Sequence, residues 1–424
     1  MSATDLAMRC TLPPQYFNFY TVKLKNKMSK IQLSFLLIAG ALIMSAASCK
    51  KFNAGGTPTP VTPTTPTRVF FTPDKFVMGG DLSYTNQVQD YGGVFKDSSK
   101  VKDPFVLCKD RGMNLVRVRL WHNPTWIAPL NNGKMYSDLV DVAKTIKRAK
   151  DAGMTVNLDL HYSDTWADPS KQDVPKAWAG LPLSTLKDSI YNYTLSVLNY
   201  LKARNLTPEM IQVGNETNGG MCLPTGKIAN NDYTAFATLL KSGIKAVRDF
   251  SATSTVKPQI ILHVAQLQNA DWWADGVINK GGVTDFDLLG LSHYYQWSTV
   301  NVMADIGTTI KNLKAKYGKK VMIVETAYSW TNGNADSYNN IMSDPAKTPQ
   351  YPLTSEGQLN YLKDLTQQII TNGGSGIMYW EPTWITSSLK DPWGTGSSWD
   401  NNTLFDASGN ALQGLGYMTV DYKF

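Results

Sequence analysis

Two apolar runs of the chain each end in a glutamate. Residues 211–213 lead through Gly214 to Asn215-Glu216, and residues 321–324 lead directly to Glu325. A carboxylate at the end of a buried strand costs free energy unless other groups bind it, so both positions need an explanation. Two strand-end glutamates in one chain predict a pair of carboxylates that face each other across an active site.

Facing carboxylates can cleave glycosidic bonds with retention of configuration. One carboxyl group protonates the leaving oxygen, and a carboxylate about 5–5.5 Å away attacks the anomeric carbon. The acid needs a raised pKa, and the nucleophile must stay ionised. We expect Arg119 and one tyrosine of Tyr294-Tyr295 to hold Glu325 charged. We expect Asn215 to donate to the sugar hydroxyl beside the reacting carbon.

The segments that carry these residues alternate short apolar runs with amphipathic stretches. Strands are predicted at residues 76–82, 115–120, 155–161, 210–216, 259–263, 288–293, 321–325 and 376–381. Helices are predicted at 104–111, 139–152, 183–204, 233–249, 300–317 and 355–371, with a less regular one at 271–277. Strands followed by helices, without tandem hairpins, indicate parallel βα units. Eight such units predict an α/β fold of the (β/α)8 TIM barrel class; a doubly wound open sheet is the alternative, but no glycine-rich phosphate motif follows the first strand.

Such a barrel would gather polar side chains at one end, because active sites of this fold lie where the strands end. The polar residues at or near predicted strand ends are Asp81, Arg119, His161, Asn215, Glu216, His263, His293, Glu325, Trp380 and Glu381. All four histidines follow this pattern when His122, two residues beyond the second strand, is counted. The distribution predicts a single site at that end of the barrel.

The net charge of +7 does not indicate a nucleic-acid partner. Nine of the 41 basic residues but only two of the 34 acidic residues lie in residues 1–75, so the rest of the chain carries 32 of each sign. A neutral globular part offers no basic patch to DNA, RNA or anionic lipid. The twelve tryptophans indicate flat apolar surfaces of the kind that bind sugar rings, with core filling as the alternative.

Residues 1–48 are predicted to be an export signal. An apolar run at 31–44, too short to span a bilayer comfortably, follows four lysines and precedes Ala46-Ala47-Ser48-Cys49. Small residues before a single cysteine resemble a lipobox, so we expect Cys49 to be lipidated; ordinary signal cleavage that leaves Cys49 free is the alternative. A start at Met28 would give a signal of ordinary proportions.

Residues 49–68 are rich in proline and threonine and contain little that could be buried, so they predict a disordered tether. The tether would hold one folded domain, residues 69–424, away from the outer membrane or cell surface of a bacterium. Beyond Cys49 this exported part has only Cys108 and Cys222, so we expect its core rather than disulfides to stabilise it.

Six stretches together resemble glycoside hydrolase family 53, the endo-β-1,4-galactanases, which belong to a large clan of retaining (β/α)8 glycosidases. They are residues 79–83, 112–121, 159–169, 213–216, 324–330 and 379–385, and they cover nearly all of the chain from about residue 76 to 415. The Asn-Glu pair alone would indicate only the clan. The His-Tyr-Ser-Asp-x-Trp-Ala-Asp-Pro stretch at 161–169 and the Tyr-Trp-Glu-Pro-x-Trp stretch at 379–384 are far more specific to the family.

The resemblance implies a role for each matching position. Glu216 would be the acid/base and Glu325 the nucleophile of an enzyme that cuts the β-1,4-galactan side chains of pectin as a monomer, without a catalytic cofactor. The residues expected to bind the reacting sugar are Asp81, Arg119, His161, Asn215, His293, Tyr294, Tyr295, Trp380 and Glu381. Trp166, Asp168 and Trp178, in the long loop after the third strand, would bind sugars further along the cleft; for Trp178, loop packing is the alternative.

The resemblance also implies a structural calcium ion between the loops after strands seven and eight, as in some bacterial members of the family. Alternating oxygen-bearing side chains suit a hard cation of this kind. The matching ligand positions are Asn334, Asp336, Tyr338 through its carbonyl, Asn340, Ser397 and Asp400. Asn334 stands where an aspartate is usual and Tyr338 where a histidine is, so fewer acidic ligands predict a weaker site.

Two alternative functions remain open on the sequence. The first is another endo-β-glycanase of the same clan, a mannanase or a xylanase, against which the two family-specific stretches argue. The second is a lipoprotein that captures glycans without catalysis. The retention of Glu216, Glu325, Arg119 and Asn215 argues against a pure binding protein, which has no use for the pair of acids.

Overall fold

The computed structural model describes residues 68–424, and within them the chain forms a closed barrel of eight parallel strands. The strands are β1 (Val77–Asp81), β2 (Leu115–Leu120), β3 (Thr155–Leu160), β4 (Met210–Val213), β5 (Gln259–Ala265), β6 (Leu288–Tyr294), β7 (Lys320–Ala327) and β8 (Gly376–Tyr379). Each strand pairs with its neighbours in chain order, and β1 closes the barrel by pairing with β8, where Val77 lies opposite Gly376. The predicted (β/α)8 barrel is confirmed.

The helices are α1 (Thr85–Asp90), α2 (Pro104–Asp110), α3 (Leu139–Asp151), α4 (Leu183–Lys202), α5 (Thr234–Ala252), α6 (Leu267–Asp275), α7 (Met303–Tyr317) and α8 (Ser355–Thr371). Seven of them correspond to predicted helices, and α8 has the predicted bounds. The short α1 was not predicted, and α6 begins four residues before the expected 271. The last βα unit ends in a 3-10 helix, Gln413–Thr419, in place of an α-helix.

The side chains of β2 show how the alternation of a strand positions the site. Val116, Val118 and Leu120 point outward and join the large core between the barrel and its helices. Leu115 lies in the smaller core inside the barrel, and residues two and four positions further along must face the same way. One strand therefore delivers a pair of arginines to the barrel interior.

The interior of the barrel is apolar at the end where the strands begin. Its residues are Val77, Leu115, Met210, Ile261, Leu288, Met322, Val324 and Met378. Closer to the ends of the strands the inward positions are polar. They are Arg117, Asp159, Gln212, His263 and Ser292, all of them buried. Buried polar groups are stable only where they bind one another, so this layer forms a connected network beneath the site.

The helix ends follow from local sequence. Asp103 caps α2 by accepting hydrogen bonds from two backbone N–H groups, with Pro104 at the first helical position. Thr354 caps α8 by accepting one hydrogen bond, from Gly357 N. At the other end, Gly318 terminates α7 in the left-handed conformation that glycine adopts without a steric penalty.

Within residues 68–424, no helix combines the length and the apolar character that crossing a membrane requires. The predicted signal region 1–48, Cys49 and the tether at 49–68 lie, apart from Arg68, outside the described residues.

Candidate active site

A cleft of about 710 Å³ opens at the end of the barrel where the strands terminate. Its acidic and basic lining residues are Arg117, Arg119, Asp168, Glu216, Glu325 and Asp391. Its aromatic lining residues are Tyr84, His161, Trp166, Tyr294, Trp297, Tyr338, Trp380, Trp384, Trp393 and Trp399. Ionisable groups on an aromatic floor suit a neutral, hydroxyl-rich ligand, since rings stack on sugar faces and charges bind hydroxyls.

Glu216 and Glu325 face each other in this cleft, as the sequence predicted. One carboxylate oxygen of Glu216 lies within 4.8 Å of one of Glu325. Both side chains are buried, and Glu216 has a φ of +45°, which is rare for a residue with a side chain. The strand β4 ends at Val213, and the left-handed turn that begins at Gly214 aims Glu216 into the cleft. A strained backbone at a buried acid is typical of functional sites.

Glu325 is held by Arg117 and Tyr294. Arg117 Nη2 lies 2.8 Å from Glu325 Oε1, and the Tyr294 hydroxyl donates to Glu325 Oε2 at 2.8 Å. The expectation that Arg119 has this role is wrong, because Arg117, the preceding inward residue of β2, reaches Glu325 instead. Of the two adjacent tyrosines it is Tyr294, the last residue of β6, that points into the barrel mouth.

Arg117 organises the polar layer beneath the cleft. Its Nη1 lies 2.7 Å from Asp81 Oδ2, and its Nη2 lies 2.8 Å from Asp159 Oδ2. The same Nη2 donates to Asn215 Oδ1 at 2.8 Å. Asp81 is therefore a buried partner of Arg117 and does not line the cleft, although it was predicted to bind sugar. The planar fork of a guanidinium suits this arrangement of several carboxylates, which a lysine could not match.

Arg119 forms a second cluster at the cleft wall. Its Nη1 pairs with Glu381 Oε1, and its guanidinium lies 4.3 Å from the ring centre of Tyr84 and 4.4 Å from that of Trp166. Glu381 is fully buried and has a φ of +47°. The structure thus places Arg119 in the cleft lining, whereas Glu381, predicted to bind sugar, lies behind it as its counter-ion.

The two catalytic candidates differ in their electrostatic surroundings. Burial raises the pKa of both carboxyl groups. For Glu325, the charge of Arg117 and the hydrogen bond from Tyr294 oppose this rise. For Glu216, the charge of Glu325 adds to the effect of burial, so its pKa lies well above the usual range of a glutamate. A pair of acids whose pKa values are pushed apart divides into a proton donor and an ionised nucleophile.

His161 and Asn215 line the cleft, as predicted. His161 Nε2 lies 2.9 Å from Asp159 Oδ2, and Trp121 Nε1 donates to its Nδ1 at 3.2 Å. Asn215 Nδ2 donates to the Ala167 carbonyl oxygen at 2.8 Å. This bond uses one of its two N–H groups and leaves the other for a ligand.

His293 and Tyr295 do not reach the cleft, which corrects their predicted role in binding sugar. His293 faces the outer layer, where its Nε2 lies 3.2 Å from the Tyr361 hydroxyl. The Tyr295 hydroxyl lies 3.0 Å from Ser329 Oγ, and its ring packs against other buried tyrosines. His293 points away because successive side chains of β6 alternate between the two faces of the sheet, and Tyr295, the residue after the strand, lies on the same side as His293.

Of the residues predicted in the loop after β3, Trp166 and Asp168 line the cleft. Trp178 is buried and packs against the rings of His122 and Tyr193. For Trp178 the packing alternative holds. Trp380 lines the cleft as predicted, at right angles to Trp399, with ring centres 4.7 Å apart.

Several residues of the site were not predicted from the sequence. They are Tyr84, Arg117, Gln212, Ser292, Trp297, Asp391 and Trp393. Arg117, Gln212 and Ser292 could have been found, since each lies an even number of positions from an inward residue of its strand. Tyr84, Trp297, Asp391 and Trp393 lie on loops or on a short turn, where no periodic signal exists.

The loops after β7 and β8 contact each other where calcium was predicted. Asp336 Oδ2 accepts a hydrogen bond from Ser397 N at 2.8 Å, and Asp400 Oδ2 accepts one from Ala335 N at 2.9 Å. The Ser397 hydroxyl donates to the Trp384 carbonyl oxygen, and that of Tyr338 donates to Asp391. Both hydroxyl groups therefore have their hydrogens bound within the protein.

The amide group of Asn340 provides a test of whether the predicted ligands fit a cation. Three oxygens surround its Nδ2, namely Asp400 Oδ1 at 2.7 Å, Asn334 Oδ1 at 3.2 Å and the Gly333 carbonyl oxygen at 3.2 Å. Its own Oδ1 is buried and has no hydrogen-bond partner. Rotating the amide by half a turn would bring its oxygen to these three. An oxygen cluster of this composition fits calcium, so the donor set is compatible with the ion.

Comparison with known proteins agrees with this geometry. The model of glycosyl hydrolase family 53 matches residues 77–418. The chain is 44% identical over 353 residues to the arabinogalactan endo-β-1,4-galactanase of Cellvibrio japonicus. The alignment covers 82% of this chain and 92% of that protein. The chain is 34% identical to arabinogalactan endo-β-1,4-galactanase A of Emericella nidulans, over 77% of this chain and 89% of that protein.

A solved structure extends the similarity to three dimensions. The family 53 catalytic domain of Ignisphaera aggregans superimposes with a TM-score of 0.75 at 34% sequence identity, over 85% of this chain and 100% of that domain. Sequence, fold and the paired glutamates lead to one conclusion: the chain belongs to glycosyl hydrolase family 53 and is a glycosidase.

Proposed function

We propose that the protein is an endo-β-1,4-galactanase that cleaves galactan, including the type I arabinogalactan side chains of pectin, by a retaining double displacement. The observation that carries this proposal is the approach of Glu216 and Glu325 to within 4.8 Å. Retaining glycosidases hold their carboxyl groups about 5–5.5 Å apart, whereas inverting enzymes need about 6.5–9.5 Å for a water molecule between them. The substrate follows from the relatives named as galactanases.

In the first step Glu325 attacks the anomeric carbon while Glu216 gives its proton to the leaving oxygen. Arg117 and Tyr294 keep Glu325 ionised before the attack. The raised pKa of Glu216 keeps its proton available near neutral pH. The products are the shortened chain with a new end and a glycosyl ester on Glu325.

In the second step Glu216 acts as a base. Once Glu325 has become an ester its negative charge is lost, and this charge was a cause of the raised pKa of Glu216. The pKa of Glu216 therefore falls in the intermediate, so that the carboxylate can take a proton from the attacking water. Two inversions at the same carbon give overall retention.

The shape of the cleft favours attack within a chain. Trp393 is 56% exposed and packs against Trp126, in the loop after β2. Trp297 is 44% exposed and packs against Tyr294, at the end of β6. Strands β2 and β6 are opposite in a closed barrel of eight, so aromatic platforms lie on both sides of the catalytic pair. A polymer can lie across both sides, which is what endo-cleavage requires.

Hydrolysis of a panel of polysaccharides tests the proposal. We expect release of short galacto-oligosaccharides from linear β-1,4-galactan and arabinogalactan, and no release from mannan or xylan. Glu216→Ala and Glu325→Ala should each abolish release while circular dichroism stays unchanged. Hydrolysis of mannan or xylan in preference to galactan would favour the alternative within the clan. Tight galactan binding without cleavage would favour a capture protein.

We also propose that calcium joins the loops after β7 and β8. The residues that would hold it are Asp400, Asn334 and Asn340 through side-chain oxygens, with Asp336 next to them and the carbonyl groups of Tyr338 and Ser397 as further ligands. Burial and the neighbouring Asp336 charge raise the pKa of Asp400, a cost that a cation would remove. The expected result is a lower melting temperature with a chelator, restored by calcium. No bound calcium and no chelator effect would contradict the proposal.

We propose further that the enzyme is exported and anchored through lipidated Cys49 to the bacterial outer membrane or cell surface, and that it acts as a monomer. The small residues before Cys49 and the tether after it support this. Cys49→Ala should move the protein from the membrane fraction to the soluble fraction, and an unchanged distribution would refute lipidation. Light scattering of residues 69–424 should give the mass of one chain.

A further inference from the structure

Ser292 and His263 are fully buried polar residues on the neighbouring strands β6 and β5, and the two catalytic steps above do not use them. The Ser292 hydroxyl donates to Glu216 Oε1, and His263 Nε2 lies 2.9 Å from Ser292 Oγ. On its other side, His263 Nδ1 lies 3.2 Å from the backbone nitrogen of Glu216. The three residues therefore form a closed ring that begins and ends on Glu216.

We propose that Ser292 and His263 are positioning residues that reserve one oxygen of Glu216 for catalysis. They hold Oε1 in a hydrogen bond of fixed direction, which leaves Oε2 to carry the proton for the leaving group. The proposal rests on the proposed role of Glu216 as the acid/base and deepens it.

The backbone N–H of Glu216 determines which group donates and which accepts in each of these hydrogen bonds. A backbone N–H can only donate, so His263 Nδ1 must accept. Burial, together with the charges of Arg117 and His161, holds the pKa of His263 well below its usual range, so the imidazole is neutral. A neutral imidazole that accepts at Nδ1 carries its single hydrogen on Nε2.

The remaining bonds follow from this tautomer. His263 Nε2–H donates to Ser292 Oγ, so the one hydrogen of the Ser292 hydroxyl points away from the histidine and towards Glu216 Oε1. Oε1 can accept this bond whether the carboxyl group is ionised or protonated. The acidic proton therefore resides on Oε2, and no hydrogen of the ring has to move during the reaction.

The alternative is the tautomer of His263 with its hydrogen on Nδ1, because Nδ1 also lies 2.9 Å from Asn215 Oδ1. In that tautomer Nδ1–H would donate to Asn215, and Ser292 would donate to the histidine instead of to Glu216. Asn215 Oδ1 already accepts from Arg117 Nη2 at 2.8 Å and from Gln212 Nε2 at 3.0 Å. Asn215 Oδ1 thus has donors within reach without His263. Gln212 Nε2 also lies 3.0 Å from His263 Nδ1, and an amide nitrogen can only donate, so this contact too requires Nδ1 to accept.

Loss of the Ser292 hydroxyl should change the pH dependence of the enzyme. The charged and titratable groups that face Glu216 are Arg117 from β2, Asp168 from the loop after β3, His263 from β5, Tyr294 from β6 and Glu325 from β7. Burial and the Glu325 charge raise the pKa of Glu216, whereas the Ser292 hydrogen bond lowers it. In Ser292→Ala the pKa rises further, so activity persists to higher pH.

The most direct test is the tautomer of His263 in the full chain labelled with ¹⁵N-histidine. Only four histidines are present, and a His263→Gln sample identifies the signal. We expect a neutral ring with its hydrogen on Nε2 from about pH 5 to pH 8. A hydrogen on Nδ1, or a doubly protonated imidazole within this range, would overturn the proposal.

Kinetics on galactan provide the second test. Ser292→Ala should lower kcat by about 10- to 100-fold, since a carboxyl group free to rotate is misplaced. The alkaline limb of the pH–activity profile of Ser292→Ala should move up by about one pH unit. Ser137→Ala is the matched control, because it removes a buried hydroxyl without any partner and should leave both quantities unchanged. An unmoved limb in Ser292→Ala overturns the proposal. Lack of galactan hydrolysis by the wild type would refute the proposed function but leave the tautomer result standing.

Discussion

Replacing Arg117 by lysine tests whether this arginine, rather than Arg119, sets the charge of the nucleophile. At the 2.8 Å between Arg117 Nη2 and Glu325 Oε1, the attraction between unit charges is about 6 kcal/mol at an effective dielectric constant of about 20. A lysine nitrogen would stop roughly 2 Å short of the guanidinium nitrogens, which reduces this attraction to about 3.5 kcal/mol. The difference of about 2.5 kcal/mol corresponds to a rise of about two units in the pKa of Glu325.

The sign of the effect on activity follows from the role of Glu325. The nucleophile must be ionised, so activity falls as the pH drops through its pKa. In Arg117→Lys this acidic limb should move up by about two pH units. The free energy of unfolding should also fall by about 3 kcal/mol, because Asp81 and Asp159 lose part of their interaction with the cation that they share.

The assay is the pH profile of kcat/KM on linear galactan for Arg117→Lys and Arg119→Lys, with urea unfolding of both. Arg119 pairs with Glu381 and has no contact with Glu325, so its substitution should leave the acidic limb in place. The role assigned to Arg117 would be refuted if the acidic limb of the kcat/KM profile moved in Arg119→Lys and stayed fixed in a folded Arg117→Lys.

Three further predictions concern the hydrogen bond, the platform and the counter-ion around this site. Tyr294→Phe removes the donor to Glu325 Oε2, so the acidic limb of the kcat/KM profile should move up by about one pH unit. Tyr295→Phe is the control, and equal shifts in the two variants would contradict the role of Tyr294 as the donor. Trp393→Ala should raise KM for polymeric galactan about fivefold at unchanged kcat, whereas Trp272→Ala, equally exposed but outside the cleft lining, should have no effect; identical KM values would exclude Trp393 as a platform. Glu381→Gln should keep the acidic limb but lower the free energy of unfolding by about 3 kcal/mol, since Arg119 loses its buried counter-ion; a stability equal to wild type in urea would contradict that role.

The barrel and the approach of Glu216 to Glu325 were predictable because both depend on periodic signals. Apolar runs of strand length, separated by helical segments, define the order of the strands, and the ends of the strands indicate where Glu216 and Glu325 meet. The two-residue period of a strand also places Arg117 and Arg119 on the same inward face. Which of the two contacts Glu325 depends on how deep each lies along the barrel axis. The pattern of a single strand does not give this depth.

The loops were less predictable. Trp178 was expected as a possible cleft residue and packs under its loop, while Trp297 and Trp393 line the cleft without having been singled out. A tryptophan in a loop can be buried or can bind sugar, and its neighbours in the sequence do not distinguish the two cases. The same holds for Asn340, whose contact with Asp400 joins two loops 60 residues apart.

In the proposed mechanism Glu325 forms a covalent glycosyl ester opposite Glu216. The most direct measurement is mass spectrometry of the enzyme after incubation with a 2-deoxy-2-fluoro galactobiosyl reagent that carries a good leaving group, which slows the second step. We expect one added disaccharide per chain, located after proteolysis on the peptide that contains Glu325 and missing in Glu325→Gln. Labelling of Glu216 instead, or inversion of configuration in the product without any adduct, would contradict it.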